Sequence, residues 1–514
     1  MGERSYESGH YNLADALLKP NLTPGRAEKT AYIDHRRHCS YAELDAQSNR
    51  TANLLLELGL QREDRILVCL HDQIEWPATF LGAVKAGIVP VAVNTMLTPA
   101  DYDFLLRDSR AKALIVAADV YPKFAPILEG QPYIRHVVTL GTVEGLPELD
   151  ALTATTRSEF ETVDTCRDEP AFWQYSSGTT GLPKGVVHVH GSLMACVEHY
   201  ALGVLGLLPD DLIFSAARMF FGYGMGNSIA FPLAIGATAV LHPGRPTPEA
   251  IENILRRHRP TVFFGVPTLY ASMLASDTLP GRDELALRLC VSAGESLPPQ
   301  IGRRWRERTG LDIVEGLGST EMLHIFLSQR PGEVKYGTTG KPVPGFEVKL
   351  IGDDGKPVAL GDIGEIHVKG PSSAACYWNQ RAKSQATFLG EWTRSADKAV
   401  LGDDGFITVT GRSDDMLKVG GIYVSPLEVE TAILEHWAVA EVAVVADTDD
   451  DGLIKPLAFV VLQSDAVASI DMADEIKAHV RQLLAPFKYP RWIRFVPDLP
   501  KTSTGKIQRF ALRS

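Results

Sequence analysis

The sequence has few cysteines, and their spacing fits neither a disulfide framework nor a structural zinc site. Six are scattered singly along the chain, with no CxxC pair: Cys39, Cys69, Cys166, Cys196, Cys290 and Cys376. Isolated thiols of this kind are typical of buried side chains in a reducing compartment. The pattern therefore predicts unpaired, buried thiols.

Long apolar runs and an excess of positive charge are also missing. No run is long enough to span a bilayer, and the opening residues, MGERSYESGHYNLADALL, lack the basic-then-apolar pattern of a signal peptide. Asp and Glu number 63 against 51 Lys and Arg, a net charge of −12. This balance argues against nonspecific binding to nucleic acid, although a local basic pocket could still hold a small anion. We expect a cytoplasmic protein with no nucleic-acid and no membrane partner.

Short, strongly apolar runs alternate with helical stretches through most of the 514 residues. The runs are RILVCLH (65–71), IVPVAVN (88–94), KALIVAA (112–118), RHVVTLG (135–141), TVFFGVPT (261–268) and LRLCVSAGE (288–296). Such runs are typical of buried parallel strands in α/β proteins. One intervening helix is marked by a capping box, Ser40 to Glu43, and by a stop at Gly59. The predicted fold class is α/β, with a large N-terminal domain of layered, mostly parallel sheets flanked by helices.

The last fifth of the sequence has a different pattern. A polar, glycine-containing stretch, GRSDDMLKVGGIYVS, precedes two short strands and a helix near 471–485. In that helix Ile476, Val480, Leu483 and Leu484 are predicted to share one apolar face. We expect a small, mobile α+β C-terminal domain of about 100 residues. The predicted domains are residues 1–412 and 413–514.

Residues 175–185 read YSSGTTGLPKG and look like a phosphate-binding loop. Glycines let backbone N–H groups approach phosphate oxygens, hydroxyls donate to them, and Lys184 supplies a charge. The spacing is neither that of a Walker A loop nor that of a GxGxxG fingerprint. A surface turn has a similar composition, so this loop alone is weak evidence of ATP binding.

With its continuation, YSSGTTGLPKGVVHVH resembles the signature loop of the adenylate-forming superfamily, which includes acyl-CoA ligases, non-ribosomal peptide adenylation domains and luciferases. Four further stretches match that family in order: EGLGSTE (315–321) resembles its adenine and magnesium motif, TRSAD (393–397) its ribose motif, GRSDD (411–415) its hinge and PKTSTGK (500–506) its catalytic-lysine motif. The resemblance implies that a carboxylate attacks the α-phosphate of ATP to form an acyl-AMP, and that a thiol, usually that of CoA, then displaces AMP.

The resemblance also implies roles for individual residues. ATP phosphates would be held by Ser176, Ser177, Gly178, Thr179, Thr180, Gly181 and Lys184. The adenine wall would be formed by Ser292, Ala293, Gly294, Glu295, Glu315, Gly316 and Leu317, and the nucleotide site would continue through Gly318, Ser319 and Thr320. Glu321 would bind Mg²⁺ as a hard oxygen ligand. Asp397 would accept hydrogen bonds from the ribose hydroxyls, with Arg412 beside it.

The C-terminal matches imply that one small domain serves both half-reactions. Lys506 would reach the carboxylate and the α-phosphate during adenylation. Asp414 matches the hinge about which that domain rotates. After rotation, four residues would face the active site and accommodate CoA: Lys418, Gly420, Gly421 and Ile422.

The stretch RMFFGYGMGNS (218–228) matches the family's carboxylate-binding region. It has no acidic residue to pair an amino-acid ammonium, so it predicts an apolar, aromatic pocket. The residues assigned to this pocket are Phe221, Gly222, Tyr223, Gly226, Phe264, Gly265, Gly318, His324 and Ile325. One phenylalanine of the FF pair could instead belong to the core, and His324 could either bind a polar ring group or simply pack.

FFGYGMGN and GSTEMLHIFLS most resemble the benzoate-CoA and hydroxybenzoate-CoA ligase branch. That branch tends to carry alanine at the position of Gly222, so the missing methyl is predicted to enlarge the pocket slightly and admit a substituted ring. The implied function is aromatic acid–CoA ligation with ATP, CoA and Mg²⁺. The alternatives are a CoA ligase for another small cyclic or fatty acid, an adenylation enzyme that loads a carrier protein, a phosphotransferase that yields ADP, and a non-catalytic nucleotide sensor.

Two further features remain open at this stage. A homodimer and acylation of Lys506 are both compatible with the sequence, but no residue indicates either. HVH (188–190) has metal-like spacing without a further ligand cluster, so we predict a structural role for both histidines.

Overall fold

The structure, a computed structural model, describes residues 10–178, 181–412, 415–419, 422–449, 453–484, 488–501 and 507–512. Its α-helices are α1 (Leu13–Leu18), α2 (Tyr41–Glu57), α3 (Glu75–Lys85), α4 (Pro99–Ser109), α5 (Ala125–Leu128), α6 (Leu149–Thr155), α7 (Ser192–Cys196), α8 (Gly222–Met225), α9 (Phe231–Ile235), α10 (Pro248–His258), α11 (Pro267–Leu274), α12 (Pro299–Thr309), α13 (Arg381–Thr387), α14 (Pro426–Leu434) and α15 (Ile470–Leu483). Within these ranges, none of the helices is both long and apolar enough to cross a membrane.

The predicted start of the second helix is confirmed. The Ser40 hydroxyl accepts the Glu43 N–H, and the Glu43 carboxylate accepts the Ser40 N–H, which closes a capping box at the start of α2. The helix ends at Glu57, and Gly59 follows with a φ of 78°. Glycine adopts this left-handed conformation without steric cost, so the predicted stop is also confirmed.

The strands are β1 (Thr30–Ile33), β2 (His38–Ser40), β3 (Arg65–Cys69), β4 (Val89–Ala92), β5 (Ala113–Ala117), β6 (His136–Leu140), β7 (Pro170–Gly178), β8 (Gly181–Val189), β9 (Leu212–Ser215), β10 (Thr238–Val240), β11 (Val262–Gly265), β12 (Leu289–Ala293), β13 (Ile313–Gly318), β14 (Ile325–Ser328), β15 (Lys341–Pro342), β16 (Glu347–Ile351), β17 (Ile363–Lys369), β18 (Cys376–Tyr377), β19 (Phe388–Leu389), β20 (Trp392–Leu401), β21 (Ile407–Arg412), β22 (Leu417–Val419), β23 (Ile422–Val424), β24 (Val439–Thr448), β25 (Ile454–Leu462) and β26 (Trp492–Phe495). The six apolar runs of the sequence form β3, β4, β5, β6, β11 and β12.

Two large sheets form most of the N-terminal part of the described chain, and a smaller antiparallel sheet, β16-β17-β20-β19 with β21 beside β20, follows them. One large sheet has the order β15-β14-β13-β12-β11-β9-β10-β1-β2, and the other has the order β18-β8-β7-β4-β3-β5-β6. Neighbours inside each large sheet are parallel, including β3 with β4 and β5, and β11 with β12. The antiparallel pairs lie towards the sheet edges, where β8 joins β7 and β14 joins β13. The predicted α/β class with mostly parallel layers is confirmed.

The C-terminal part is a separate α+β unit, as predicted. In the sheet β24-β25-β26, β25 is antiparallel to β24 and parallel to β26, and α14 and α15 contribute to its own core. Ile476 and Val480 of α15 are buried there, but Leu483 is 47% exposed. Its predicted place on the apolar face is therefore wrong, because it lies in the last turn of the helix, beyond the core. The domain boundary after Arg412 stays a prediction.

The thiols largely follow the sequence prediction. Cys39, Cys69, Cys196 and Cys290 are buried, and all six cysteines are unpaired. Cys166 is an exception because it is exposed. The prediction that every thiol is buried is therefore wrong at this position, which lies in the loop that leads into β7.

Candidate active site

Predicted adenine-wall residues meet at the carboxyl ends of neighbouring parallel strands. Ser292 lies opposite Glu315 and Ala293 opposite Gly316 in the β12–β13 pairing, and Gly265 lies opposite Ser292 in the β11–β12 pairing. Open α/β sheets commonly bind ligands outside the carboxyl ends of their strands. The fold thus brings the predicted adenine and acid residues to one edge of the nine-stranded sheet.

Glu315 has a partner that the sequence did not indicate. Its carboxyl group accepts the N–H of Leu297 at 3.0 Å and so holds the loop that follows β12. The side chain is buried, and burial raises its pKa to about 8. Gly294 turns that loop with a φ of 96°, a conformation that favours glycine. The Ser292 hydroxyl is buried beside this loop without a hydrogen-bond partner in the described part of the chain.

The predicted phosphate residues that the structure describes lie on the paired strands β7 and β8. Ser176 pairs with Lys184 and Gly178 with Gly181 across the two strands. The Ser176 hydroxyl is buried and has no partner among the described residues. A donor that is orphaned in this way can be satisfied by a ligand oxygen, which fits the predicted role.

Lys184 and Glu321 are brought together, as the motifs require. Lys184 Nζ lies 3.9 Å from Glu321 Oε1. Tyr377 joins this pair: its hydroxyl donates to Glu321 Oε1 at 2.7 Å, and Lys184 Nζ lies 4.5 Å from the centre of its ring. Burial, and secondly the Glu321 charge, raise the pKa of Tyr377, so this hydroxyl keeps its proton. The three side chains form a cation–carboxylate–phenol cluster.

The two predicted ribose residues face each other across β20 and β21. Asp397 is the register partner of Arg412, and Arg412 Nη1 lies 3.4 Å from Asp397 Oδ1. The carboxylate side chain is 9% exposed and the guanidinium is 44% exposed. The preceding residue, Ala396, has a φ of 60°, a conformation that costs a non-glycine residue free energy and often occurs at functional sites.

The predicted acid pocket begins with a helical segment that follows β9. It comprises α8, a stretch of π-helix at Gly226–Ala230, and α9. π-Helical turns inside helices are often found at functional sites. Phe220 is buried in the core whereas Phe221 is only partly buried, so the FF pair divides into a packing residue and a pocket candidate.

Gly222 and Gly226 are both required by close contacts. A Cβ at Gly222 would lie 2.1 Å from the Leu323 carbonyl oxygen, and a Cβ at Gly226 would lie 2.4 Å from His324 Cδ2. The prediction that the missing methyl at Gly222 enlarges the pocket is therefore wrong, because the backbone of Leu323 takes that space. Leu323 is itself unusual, with a φ of 67°.

His324 is buried among aromatic rings. Its ring centre lies 5.5 Å from that of Tyr223 and 4.8 Å from that of Phe231. Its Nε2 lies 3.2 Å from Asn227 Oδ1, and burial lowers its pKa to about 3. The ring is therefore neutral and donates through Nε2. Its Nδ1 is a buried acceptor without a hydrogen-bond partner in the described ranges. Two further pocket candidates, Phe264 and Ile325, are buried behind it.

The HVH histidines lie outside any metal cluster in the described residues. Burial lowers the pKa of both His188 and His190 to about 4. His190 Nδ1 accepts the Leu13 N–H at 3.1 Å, whereas His188 Nε2 donates to the Thr320 carbonyl at 2.8 Å. The predicted structural role is supported for His190, but His188 contacts the loop that carries Glu321.

Several predicted positions lie outside the described residues: Thr179, Thr180, Asp414, Gly420, Gly421 and Lys506. For Ser177, Lys418 and Ile422 the structure describes the backbone without the side chain. The CoA-binding and lysine predictions therefore stay predictions.

Sequence reasoning missed Tyr377, Asn227 and Gln174. Tyr377 is 56 residues from Glu321 and reaches it because β18 pairs with β8. Gln174 is buried and donates to the Phe220 carbonyl at 3.4 Å. Asn227 lies within RMFFGYGMGNS (218–228), and its amide could have been predicted as a polar partner for His324. The other two carried no signal in the sequence.

Comparison with known proteins places the chain in a family. Residues 23–378 match the AMP-binding enzyme model and residues 428–506 match the AMP-binding enzyme C-terminal domain. A benzoate–CoA ligase of Thauera aromatica is 54% identical over 98% of this chain and 96% of its own. A benzoate CoA ligase structure from Burkholderia xenovorans LB400 has a TM-score of 0.93 and 48% identity over 98% of this chain and all of that one. The structure of an anthranilate CoA ligase bound to anthranoyl-AMP has a TM-score of 0.94 and 40% identity over 98% of this chain and 96% of that one.

The resemblance predicted from the motifs is thus confirmed over nearly the whole chain, in both the adenylate-forming superfamily and its benzoate and hydroxybenzoate branch. This chain belongs to the AMP-binding enzyme family.

Proposed function

We propose that this protein is an ATP-dependent aromatic acid–CoA ligase that forms an aryl-AMP and then an aryl-CoA, with benzoate or a substituted benzoate as the acid. The observation that carries this proposal is the placement of the loop 319–324. In this loop Glu321 lies 3.9 Å from Lys184, and His324, three residues later, lies against Tyr223 of the proposed acid pocket. Phosphate chemistry and recognition of an aromatic acid therefore lie next to each other.

In the first half-reaction, an oxygen of the acid's carboxylate attacks the α-phosphorus of ATP. The bond from that phosphorus to the bridging oxygen breaks, and pyrophosphate leaves. Because charge gathers on phosphate oxygens, the step needs cations and donors rather than a covalent nucleophile. Lys184, the Ser176 hydroxyl and the hairpin backbone would stabilise the leaving pyrophosphate. Asp397 and Arg412 would hold the ribose, and Lys506 would contact the carboxylate and the α-phosphate.

The residues around Glu321 fit a magnesium ion that arrives with ATP. Mg²⁺ is usually held by one or two carboxylates together with phosphate oxygens and water. Glu321 supplies one carboxylate beside Lys184, the proposed phosphate ligand, which fits this mode. Glu321 would be its protein ligand, with Tyr377 fixing one carboxylate oxygen. When bound, the ion would neutralise charge on the phosphates.

An apolar pocket with neutral side chains favours an uncharged ring. Tyr223 and Phe264 lie edge to face at 6.1 Å, and His324 is neutral because burial lowers its pKa. The named substrates of the relatives, benzoate and anthranilate, are each a single uncharged aromatic ring that carries a carboxylate. A substituent that donates a hydrogen bond could be satisfied by the unpartnered His324 Nδ1.

In the second half-reaction, the CoA sulfur attacks the acyl carbon, the thiol proton is lost to solvent, and AMP leaves. We assign CoA contacts to Lys418, Gly420, Gly421 and Ile422, and the hinge to Asp414, by their match to the family motifs. Acylation of Lys506 would silence adenylation because it removes the charge. A homodimer and a cytoplasmic location stay predictions.

The function is tested by product analysis across benzoate, hydroxybenzoates, aminobenzoates, cyclohexane carboxylate and a fatty acid, each with and without CoA. We expect pyrophosphate and AMP with the aromatic acids, and aryl-CoA only when CoA is present. ADP as the nucleotide product would overturn the proposal in favour of a phosphotransferase. A preference for the fatty acid would overturn the aromatic assignment alone.

The two half-reactions can be separated with Lys506→Ala. This variant should lose adenylation while it still converts supplied benzoyl-AMP and CoA to the thioester. Equal loss of both activities would contradict the assignment of Lys506 to the first half-reaction.

A further inference from the structure

The loop 319–324 is held by hydrogen bonds from outside it at three consecutive carbonyl groups. Thr320 O accepts from His188 Nε2 at 2.8 Å, Glu321 O accepts from the Ala374 N–H at 2.8 Å, and Met322 O accepts from the Ser372 hydroxyl at 2.8 Å. A backbone bound in this way cannot shift along its length without breaking several hydrogen bonds at once.

All three donors belong to one neighbouring layer. His188 lies on β8, four residues after Lys184, and Ser372 and Ala374 lead into β18, which pairs with β8 through Val187 and Cys376. The strand that carries Lys184, together with the segment that leads into β18, therefore fixes the position of the loop carrying Glu321.

His188 is suited to a fixed role rather than a titrating one. Its side chain is fully buried, its ring stacks on Phe172 with centroids 5.3 Å apart and planes 22° apart, and burial keeps it neutral by lowering its pKa to about 4. Only a protonated Nε2 can donate to a carbonyl oxygen, so the ring carries its single proton on that atom.

The same loop also sets the wall of the acid pocket. After Met322 the chain passes through Leu323, whose φ of 67° is a strained conformation and whose carbonyl is the atom that a Cβ at Gly222 would meet. A strained residue holds its conformation only where its surroundings enforce it. The hydrogen bonds at Thr320, Glu321 and Met322 lie on the three residues before it.

We propose that His188 is a positioning residue of the adenylation site: through the Thr320 carbonyl it fixes the loop 319–324, and so sets Glu321 for the metal–phosphate complex and the Leu323 carbonyl for the acid pocket together. This inference rests on the proposed function. It assigns a role to a histidine that touches neither nucleotide nor acid.

The test uses the full-length protein and three variants. His188→Phe keeps a ring against Phe172 but removes the donor. His188→Gln restores a donor near the place of Nε2. His190→Phe is the matched control, because His190 is also buried, lies directly after β8, and accepts the Leu13 N–H instead of donating to the loop 319–324.

Two measurements distinguish a loss of loop positioning from a general loss of stability. Calorimetry with a non-hydrolysable ATP analogue, with and without Mg²⁺, reports the metal-dependent part of nucleotide affinity without turnover. In His188→Phe we expect this part to fall by about tenfold, the size of one lost hydrogen bond, with metal-free binding unchanged. The KM for benzoate should rise in parallel. His188→Gln should recover most of both effects, and His190→Phe should show neither.

The proposal is overturned if His188→Phe binds the metal–nucleotide complex like the parent protein, or if His190→Phe loses as much. Should His188→Phe fail to fold, Ser372→Ala removes the neighbouring donor and must shift both quantities in the same direction. If the proposed function is wrong, the parent protein will form no aryl-AMP. The calorimetry would still test the role of His188, because it measures nucleotide affinity without turnover.

Discussion

The proposed phosphate site and the proposed acid pocket lie on either side of the loop 319–324, but they differ in charge and in burial. At the phosphate end, Lys184 and Glu321 are charged and partly exposed, with side chains 22% and 13% accessible. In the acid pocket, His324 is buried and neutral among aromatic rings. Among these three residues, charge is confined to the side where we propose that phosphates bind. Changes on the two sides should therefore have separable effects on catalysis and on acid binding.

The largest effect is expected from Glu321→Gln. Losing the carboxylate charge removes the proposed metal ligand, so pyrophosphate release should fall by about 10²–10³-fold. The fall should be the same for every aromatic acid, because this residue lies on the phosphate side. Parallel assays with benzoate and 4-hydroxybenzoate check this. Tyr377→Phe, which removes only the hydrogen bond to Glu321, should lose about tenfold or less. If Glu321→Gln changes the ratio of the rates with benzoate and 4-hydroxybenzoate, the effects on catalysis and on acid binding are not separable.

Gly222→Ala should act on the other side. The added methyl would meet the Leu323 carbonyl, so the backbone of the pocket wall must shift, and we expect kcat/KM for every aromatic acid to fall by about 10–100-fold. The KM for ATP should change little. Gly281→Ala is a suitable control because the nearest atom to a Cβ added there would be 4.0 Å away. If kcat/KM falls only for acids with bulky rings, the Leu323 backbone can move aside at little cost in free energy, which would contradict this prediction.

A third prediction concerns Glu315, whose buried carboxyl group should make the free energy of unfolding depend on pH. Burial raises its folded pKa to about 8, so between about pH 5 and 8 the folded state holds a proton that the unfolded state has lost. Stability from this group is present at low pH and is lost as pH rises. Glu315→Gln removes this dependence and should gain about 1.4 kcal/mol on the parent for each pH unit between about pH 5 and 7, measured by urea unfolding. Parallel stability curves for the two proteins would contradict it.

The smallest effect concerns the buried neutral histidines, for which the sign is reversed. His190 has a folded pKa of about 4, so below about pH 6.5 the unfolded state gains a proton that the folded state does not, and stability falls as pH falls. Between pH 6 and 5, the free energy of unfolding should therefore fall by about 1 kcal/mol less in a variant that lacks one such histidine than in the parent. Denaturant titrations of His190→Gln and the parent at both values measure this. If the free energy of unfolding falls equally in both proteins between these pH values, His190 is protonated in the folded state.

The sequence predicted what is local and missed what depends on distant contacts. The capping box of α2 and the six buried strands follow from patterns a few residues long, and the order of the motifs was enough to identify the family. The Glu321–Tyr377 hydrogen bond and the donation from His188 to Thr320 join residues 56 and 132 apart. No pattern at that separation is visible in one sequence. The Gly222 interpretation failed for the same reason, because the atom that opposes it is a backbone oxygen 101 residues further on.

The Leu323 carbonyl has a consequence for engineering the substrate range. Where a side chain forms the wall of a pocket, the pocket can be resized one methyl at a time. At Gly222 the opposing wall is a peptide group held in a strained conformation, so mutation of the side chain at either position offers no graded adjustment. A library aimed at new acids would do better to vary the aromatic side chains, Tyr223 and Phe264, and to leave this peptide contact unchanged.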